Sequence, residues 1–310
     1  MKILHTDISI NGVKFDFVNS LEISSSWELL TDKATIVLPS SLKIEKNKIS
    51  EFFKVGDSVS ITVGYDNDLF REFSGYITQI KPSVPLEISC EDEMWKLKQD
   101  SITDSGKNAT LSDVIAKHFS EYETKILDIE LGRYAFDAIS RAQLLEKIKA
   151  DFGLFSFFRD GVLVVGRRYD AETARHAKIR LDFNPEEDEL VFKSKEDIKL
   201  KVKAVSNNPD GSKEEVEIGD QEGEERSLNF YDLSKSELKT AAEREFDRLI
   251  YDGWHGSLKA FGQPFCQHGD ILELISEEES DKSGSYWIDE TIVEYGVDGF
   301  RRTITLGAKV

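Results

Sequence analysis

Apolar and polar residues alternate along most of the first hundred positions, the period of strands with one buried face. "ISINGVKFDF" (8–17) alternates on both sides of Asn11-Gly12, a strong two-residue hairpin signal. "SLEISSSWELL" (20–30) and "KATIVLP" (33–39) continue the pattern, which Pro39 ends. "SSLKIEKNKISEFF" (40–53) reads as a loop or short helix. "FKVGDSVSITVGYDNDLFREFSGYITQI" (53–80) reads as two strands joined by a polar tip, and "VPLEISCEDEMWKL" (84–97) as one more strand running into Trp95. Strands this short and this closely spaced predict a small antiparallel barrel or sandwich.

The period then changes. In "ATLSDVIAKHFSEY" (109–122), Thr110 and Asp113 have capping-box spacing ahead of a stripe of Leu111, Val114, Ile115 and Phe119. "ISRAQLLEKIKADFG" (139–153) repeats the device, with Ser140 and Gln143 as caps, Leu144, Leu145 and Ile148 as stripe and Gly153 as stop. "LFSFFRDGVLVVGRR" (154–168) predicts a hairpin turning at Asp160-Gly161. Residues 100–175 therefore read as a small α/β unit.

Alternation returns in "DIKLKVKAVSNNPDGSKEEVEIGD" (197–220), two strands around Pro209-Asp210-Gly211. "QEGEERSLNF" (221–230) reads as an acidic loop. "SKSELKTAAEREFDRLIYDG" (234–253) predicts a helix with Leu238, Ala242, Phe246, Leu249 and Ile250 on one side and Gly253 as its stop. After it come "WHGSLKAFGQPF", a second hairpin "FCQHGDILELISEEESDKSGSYWIDETIV" (265–293) and a closing strand "FRRTITLGAKV".

The two long hairpins match. With Gly56 on Gly269 and Asp57 on Asp270, Val59 and Ile61 fall on Leu272 and Leu274, and Ile77 and Ile80 on Ile288 and Ile292 with one residue of slack. "PLEISC" then stands where "RTITLG" does, and Asn11-Gly12 where Asp210-Gly211 does. An ordered series of such matches predicts a duplicated domain rather than a repeat array.

A length of 310 residues accommodates two or three domains. The predicted fold class is mainly β (α+β): two similar antiparallel β-barrel domains with a small α/β domain between them and a helical insertion in the second barrel. The expected boundaries are 1–98, 99–180 and 181–310, with the insertion around 232–252. The formal net charge of −19 argues against nucleic-acid recognition, which needs Lys and Arg against phosphate. No run of about 18 apolar residues predicts a membrane helix, and no apolar block follows the N-terminal Met, so a cytoplasmic protein is expected. Cys90 and Cys266 read as buried free thiols, and the five His residues have no zinc spacing.

Candidate chemistry is sparse. Cys266 and His268 share one face of a strand, but a nucleophilic pair needs the imidazole within hydrogen-bonding reach of the thiol, commonly from another segment. The runs Glu186, Glu187, Asp188, Glu189 and Glu277, Glu278, Glu279 lack the fixed separation and apolar setting of glycosidase acids. Asp66, Asn67 and Asp68 lack the spacing of a calcium loop and read as a hairpin tip. Trp27, Trp95, Trp254 and Phe261 are candidates for core packing, or for a carbohydrate- or protein-binding surface. No catalytic, cofactor-binding or metal-ligating residue is assigned, no cofactor is expected, and the expected role is not enzymatic.

The stretches "FKVGDSVSITVGY…FSGYITQI…PLEISCEDEMWKL" and "GSLKAFGQPFCQHGDILEL…GSYWIDETIVEYGVDGFRRTITL", with the helical middle "TLSDVIAKHF…SRAQLLEKIKADFGLFSFFRDGVLVV", resemble the baseplate hub proteins of contractile phage tails. These include the late-control-D-like tail proteins and the N-terminal hub part of type VI secretion spike proteins. The resemblance covers nearly the whole chain. It departs at His268, where many relatives carry Pro, and at Tyr295, where a His is frequent. It implies a structural homotrimer with pseudo-sixfold symmetry joining a hexameric tail tube protein to a trimeric spike protein. Tape-measure and other baseplate proteins are further implied partners, and DNA passes as cargo without specific binding. The implied location is the cytoplasm during assembly and then the virion tail or baseplate. The resemblance also implies that the spike is a separate protein, since no needle or lysozyme-like segment follows residue 310. The alternatives are a monomeric β-rich carbohydrate- or protein-binding adaptor and a tail-associated cell-wall hydrolase.

Overall fold

The fold is described from a computed structural model of the 310-residue chain. The structure describes all residues except 1–2, 40–42, 45–46, 49–51, 67, 83–84, 171–173, 184, 209–210 and 280–281, and at 43–44, 47–48 and 186–188 it describes the backbone alone. The expected loop or short helix at 40–53 thus lies largely outside the described residues.

From the N-terminus the chain forms β1 (Leu4–Ile10), β2 (Val13–Phe15), β3 (Ser20–Ser26), β4 (Lys33–Leu38), β5 (Lys43–Ile44), β6 (Asn47–Lys48), β7 (Ser58–Tyr65), β8 (Asp68–Lys81), β9 (Leu86–Glu91) and α1 (Met94–Leu97). The middle runs β10 (Ile102–Thr110), α2 (Leu111–His118), β11 (Glu123–Ile126), β12 (Glu130–Ile139), α3 (Arg141–Phe152), β13 (Phe155–Arg159) and β14 (Val162–Gly166). Then follow β15 (His176–Arg180), β16 (Pro185–Asp188), β17 (Val191–Lys193), β18 (Leu200–Asn207), β19 (Lys213–Gly219), β20 (Glu224–Tyr231) and α4 (Lys235–Leu249). The chain ends with β21 (Gly253–His255), β22 (Ser257–Phe261), β23 (Ile271–Ile275), β24 (Gly284–Gly296) and β25 (Gly299–Lys309).

Tertiary contacts gather these elements into two compact units, each from discontinuous segments. One comprises Met1–Trp95, Thr173–Leu190 and Gly256–Gly307; the other comprises Lys96–Glu172, Val191–His255 and Ala308–Val310. The expected segments, 1–98, 99–180 and 181–310 with a helical insertion around 232–252, are consecutive instead. The difference has a packing cause. Leu200, Val202 and Ala204 of β18 bury one face against Leu238 and Ala242 of α4, so this segment has its own core.

The first unit is built on one 13-stranded sheet. Its N-terminal half runs in the order β1-β7-β8-β9-β4-β3. Its C-terminal half runs β15-β23-β24-β25-β22-β16, the same order with each strand replaced by a later one. The halves meet where β3 pairs antiparallel with β24, from Leu21 opposite Tyr295 to Ser26 opposite Glu290. Among the described residues the path of ladders stays open, so neither half closes into a barrel by these pairings. The place of β1 beside β7 is taken by β15 beside β23, running parallel rather than antiparallel. Of the turn matched in the sequence to Asn11-Gly12, Asp210 lies outside the described residues, and the flanking strands β18 and β19 belong to the other unit rather than to the C-terminal half of this sheet.

In β4, β9 and β25 of this sheet every second residue is buried, the alternation of strands with one covered face. Ile8, Ile36, Ile61 and Ile88, all fully buried, lie in the main apolar cluster. Each contributes about 1.5–3 kcal/mol relative to exposure. Asn11 and Gly12 have φ of 47° and 82°, the paired left-handed values of the turn their sequence predicts.

In the second unit, β11, β14 and β13 form one small sheet and β19, β18 and β20 another, while β10 pairs with β12 and β17 with β21. α3 packs against β13 and β20. Both predicted capping boxes form: Thr110 accepts from the Asp113 N–H, and Ser140 from the Gln143 N–H. Gly153 adopts the left-handed C-cap conformation. α4 ends differently from expectation. Its cap is Ile250, in extended backbone, and Gly253 starts β21 instead. The expected loop at 221–230 is largely strand β20, which pairs parallel with β18 from Glu224 to Tyr231. Its first four residues are exposed and charged or polar, which hid the strand from a reading by alternation.

Candidate functional site

The two Gly-Asp corners share one set of hydrogen bonds, to which Asp270 adds a bond from the Arg175 N–H at 3.1 Å. The Gly56 N–H donates to the Ile77 carbonyl at 2.8 Å, and the Ile77 N–H donates to the Asp57 carbonyl at 2.9 Å. The Gly269 N–H donates to the Ile288 carbonyl at 2.9 Å, and the Ile288 N–H donates to the Asp270 carbonyl at 2.9 Å. Each Asp side chain then accepts from the backbone N–H three residues earlier, Asp57 from Lys54 at 3.0 Å and Asp270 from Gln267 at 2.9 Å. Both glycines have positive φ, 93° and 81°, where a side chain would be strained. The Cβ of any residue at 56 would also lie 3.2 Å from the Trp95 ring. Past the corner, both long strands step by three rather than two between inward residues, from Ile77 to Ile80 and from Ile288 to Thr291. The counterpart of Ile80 is therefore Thr291, one residue from the match made on sequence.

Where the halves meet, polar groups are buried. Arg302 donates to the carbonyls of Gly262 (3.0 Å) and Cys266 (2.9 Å) and to the Glu72 carboxylate (2.6 Å). Both side chains of this ion pair are almost wholly buried, at 1% and 2% exposure. Burial pushes the Glu72 carboxyl up, and the charge and hydrogen bond of Arg302 oppose that push. Ser25 of β3 lies 2.5 Å from Nδ1 of His268, whose ring stands edge-on to Trp27 at 4.9 Å. Composition alone could not have pointed to Arg302, which lies on an inward position of β25 among apolar neighbours in the pattern.

Asp92 is buried beside Asp32, and its Oδ1 accepts from the Met94 N–H at 3.0 Å. Burial, then the charge of Asp32, raises its carboxyl well above the usual range. The native state therefore holds this proton at pH values where the unfolded chain has lost it, so stability falls as pH rises from about 4 toward the raised value. Asp92→Asn keeps the acceptor oxygen and removes the titration. It is expected to raise the urea midpoint at pH 8 and to leave it unchanged at pH 3; a lowered midpoint at pH 8 would show that the charge is stabilising.

None of these groups has the geometry of a nucleophilic site. Cys266 is fully buried and its thiol is pushed up to about 12 by burial, so at neutral pH it carries no thiolate. Ser25, His268 and Asp32 are the residue types of a hydrolytic triad, but both Ser25 and Asp32 (3.9 Å) approach the same ring nitrogen. A triad needs the acid on one nitrogen and the hydroxyl on the other. Glu277, Glu278 and Glu279 are exposed, with Arg180 and Lys282 as ion-pair partners of the first and last. Glu189 is exposed, while the side chains of Glu186, Glu187 and Asp188 lie outside the described residues. Asp66 accepts from the Ile3 N–H and Asp68 from the Gln263 amide at a hairpin tip, and Asn67 lies outside the described residues. Trp27 is buried, Trp95 stacks on Tyr76, Trp254 packs edge-on to Phe192, and Phe261 is exposed beneath Arg301. Among the described residues no group of three His, Cys, Asp or Glu side chains is placed to hold a metal ion. Among the same residues no helix is long and apolar enough to cross a membrane.

No family model matches the chain, and no curated protein sequence does. Solved structures do. A tail protein from Neisseria meningitidis MC58 is 15% identical with a TM-score of 0.69, covering 99% of this chain and 96% of that one. The 43 kDa tail protein of prophage MuSo2 from Shewanella oneidensis is 16% identical with a TM-score of 0.64, covering 98% and 97%. An E. coli component of the type VI secretion system, described as similar to T4 bacteriophage tail proteins gp27 and gp5, is 9% identical with a TM-score of 0.61, covering 97% and 76%. The chain has the fold shared by these phage tail proteins and this type VI secretion component, along nearly its full length.

Proposed function

We propose that the protein is a structural baseplate hub of a contractile tail or injection machine. It acts as a homotrimer with pseudo-sixfold symmetry that joins a hexameric tail tube to a trimeric spike, each half of the shared sheet standing for one barrel-like tube unit. The observation that carries this reading is the repeated strand order with its two matching Gly-Asp corners. A trimer can meet a sixfold partner only if each chain supplies the contacting unit twice. Tape-measure and other baseplate proteins are further partners in this reading. DNA passes as cargo, and an acidic chain repels phosphate rather than binding it. The role is structural, first in the cytoplasm and then in the tail. Light scattering on the purified chain is expected to give three times 35.2 kDa. A strict monomer, with tube and spike proteins both present, would overturn the proposal.

A further inference from the structure

We infer that a second copy of this chain docks head to tail by adding β17 of one copy to the far end of β8 of the next, with Phe192 opposite Ile80. This deepens the trimeric reading above and rests on it. The joint between the halves supplies the template. Beyond its corner at Ile288, β24 continues along the same edge by pairing with β3, with Thr291 opposite Ser25. Beyond its corner at Ile77, β8 has the same step to Ile80, but among the described residues its strand neighbours are β7 and β9 alone. The equivalent of the β3 ladder is therefore missing from a single copy.

The register identifies which strand supplies it. Ile36 of β4 lies opposite Ile88 of β9 and opposite Leu21 of β3. Leu258 of β22 lies opposite Ile304 of β25 and opposite Asp188 of β16. Buried Ala34, Ile36 and Leu38 thus correspond to Gly256, Leu258 and Ala260, and Leu21 to Asp188. Four residues on from Leu21 is Ser25; four residues on from Asp188 is Phe192, in β17. That strand pairs with β21 alone among the described residues, with Phe192 opposite Trp254.

The side chains fit this assignment. Thr291 and Ser25, the pair at the joint within the chain, are 2% and 3% exposed. Their counterparts Ile80 and Phe192 are larger and apolar, and Phe192 stands 38% exposed and the adjoining Val191 54%. A three-residue strand with apolar side chains outside is an edge suited to strand addition. Because the two edges differ, the contact is heterologous and propagates from copy to copy until it closes.

Ile80→Cys combined with Phe192→Cys tests this in the full chain. Directly opposed residues place Cα atoms about 4.5–5.5 Å apart, within disulfide reach. The native Cys90 and Cys266 are buried, with thiols pushed up to about 12, and do not compete. Mild oxidation is expected to give covalent dimers and trimers on non-reducing gels, whereas either single variant stays monomeric on the gel. Gln79→Cys with Lys193→Cys, one step along the same ladder and both exposed, should give the same products if the first pair disturbs folding. An assembly seen by light scattering that neither pair cross-links, or a bond formed within one chain, would overturn the strand assignment while leaving the trimer standing. A chain that stays at 35.2 kDa with tube and spike proteins both present overturns both.

Discussion

Arg302→Met is expected to lower the unfolding free energy by about 3–5 kcal/mol, the cost of removing one partner from a buried ion pair. The change leaves the Glu72 carboxylate without its counter-charge in a site where it is 2% exposed. It also leaves the carbonyls of Gly262 and Cys266 without the donors that Arg302 supplies. Glu72→Leu should be similarly damaging, because it strands the guanidinium instead. The double variant separates the two contributions. Without either charge the penalty of an unpaired ion disappears, so its loss should be clearly smaller than the two single losses together. A residual loss of about 1–3 kcal/mol for each unsatisfied carbonyl should remain. Urea unfolding of the four proteins reads this directly, and strictly additive losses would show that Glu72 and Arg302 act independently.

The second large effect is an asymmetry between the matching corners. Asp57 accepts one backbone N–H, from Lys54. Asp270 accepts two, from Gln267 at 2.9 Å and from Arg175 at 3.1 Å, and is fully buried. A stranded buried donor costs about 1–3 kcal/mol. Asp57→Ala should therefore lose about that amount and Asp270→Ala about twice as much. The extra bond ties the corner to the residue just before β15, the strand whose direction differs from that of its counterpart β1. Equal losses at the two positions would mean that the Arg175 bond contributes nothing.

Much of this was legible in the residues themselves. Alternation located β1, β3, β4, β7, β8 and β9, and the Gly-Asp pairs located both corners, because a positive φ beside a hydrogen-bonded Asp leaves a sequence trace. Capping boxes marked the starts of α2 and α3 for the same reason: the chemistry lies within four residues. Ser234 and Glu237 form a third box at α4 that the same spacing would have found. What could not be read depends on distant partners. β20 is held by a parallel neighbour some twenty residues away, and its exposed charges mask its period. The membership of residues 191–255 follows from where their apolar faces find cover, not from their position along the chain. Arg302 and Glu72, separated by 230 residues, carry no local sign of each other.

The joint between β3 and β24 also dictates an order of events during synthesis. Ser26 waits for Glu290, and Glu72 for Arg302, so the N-terminal half leaves the ribosome with an open strand edge and an uncompensated carboxylate. Contacts so distant in sequence form slowly, and an unpaired edge is open to wrong partners meanwhile. A nascent chain arrested before residue 290 would thus be more aggregation-prone than the complete sheet, and emergence of residues 290–302 the step that commits it to its native pairing.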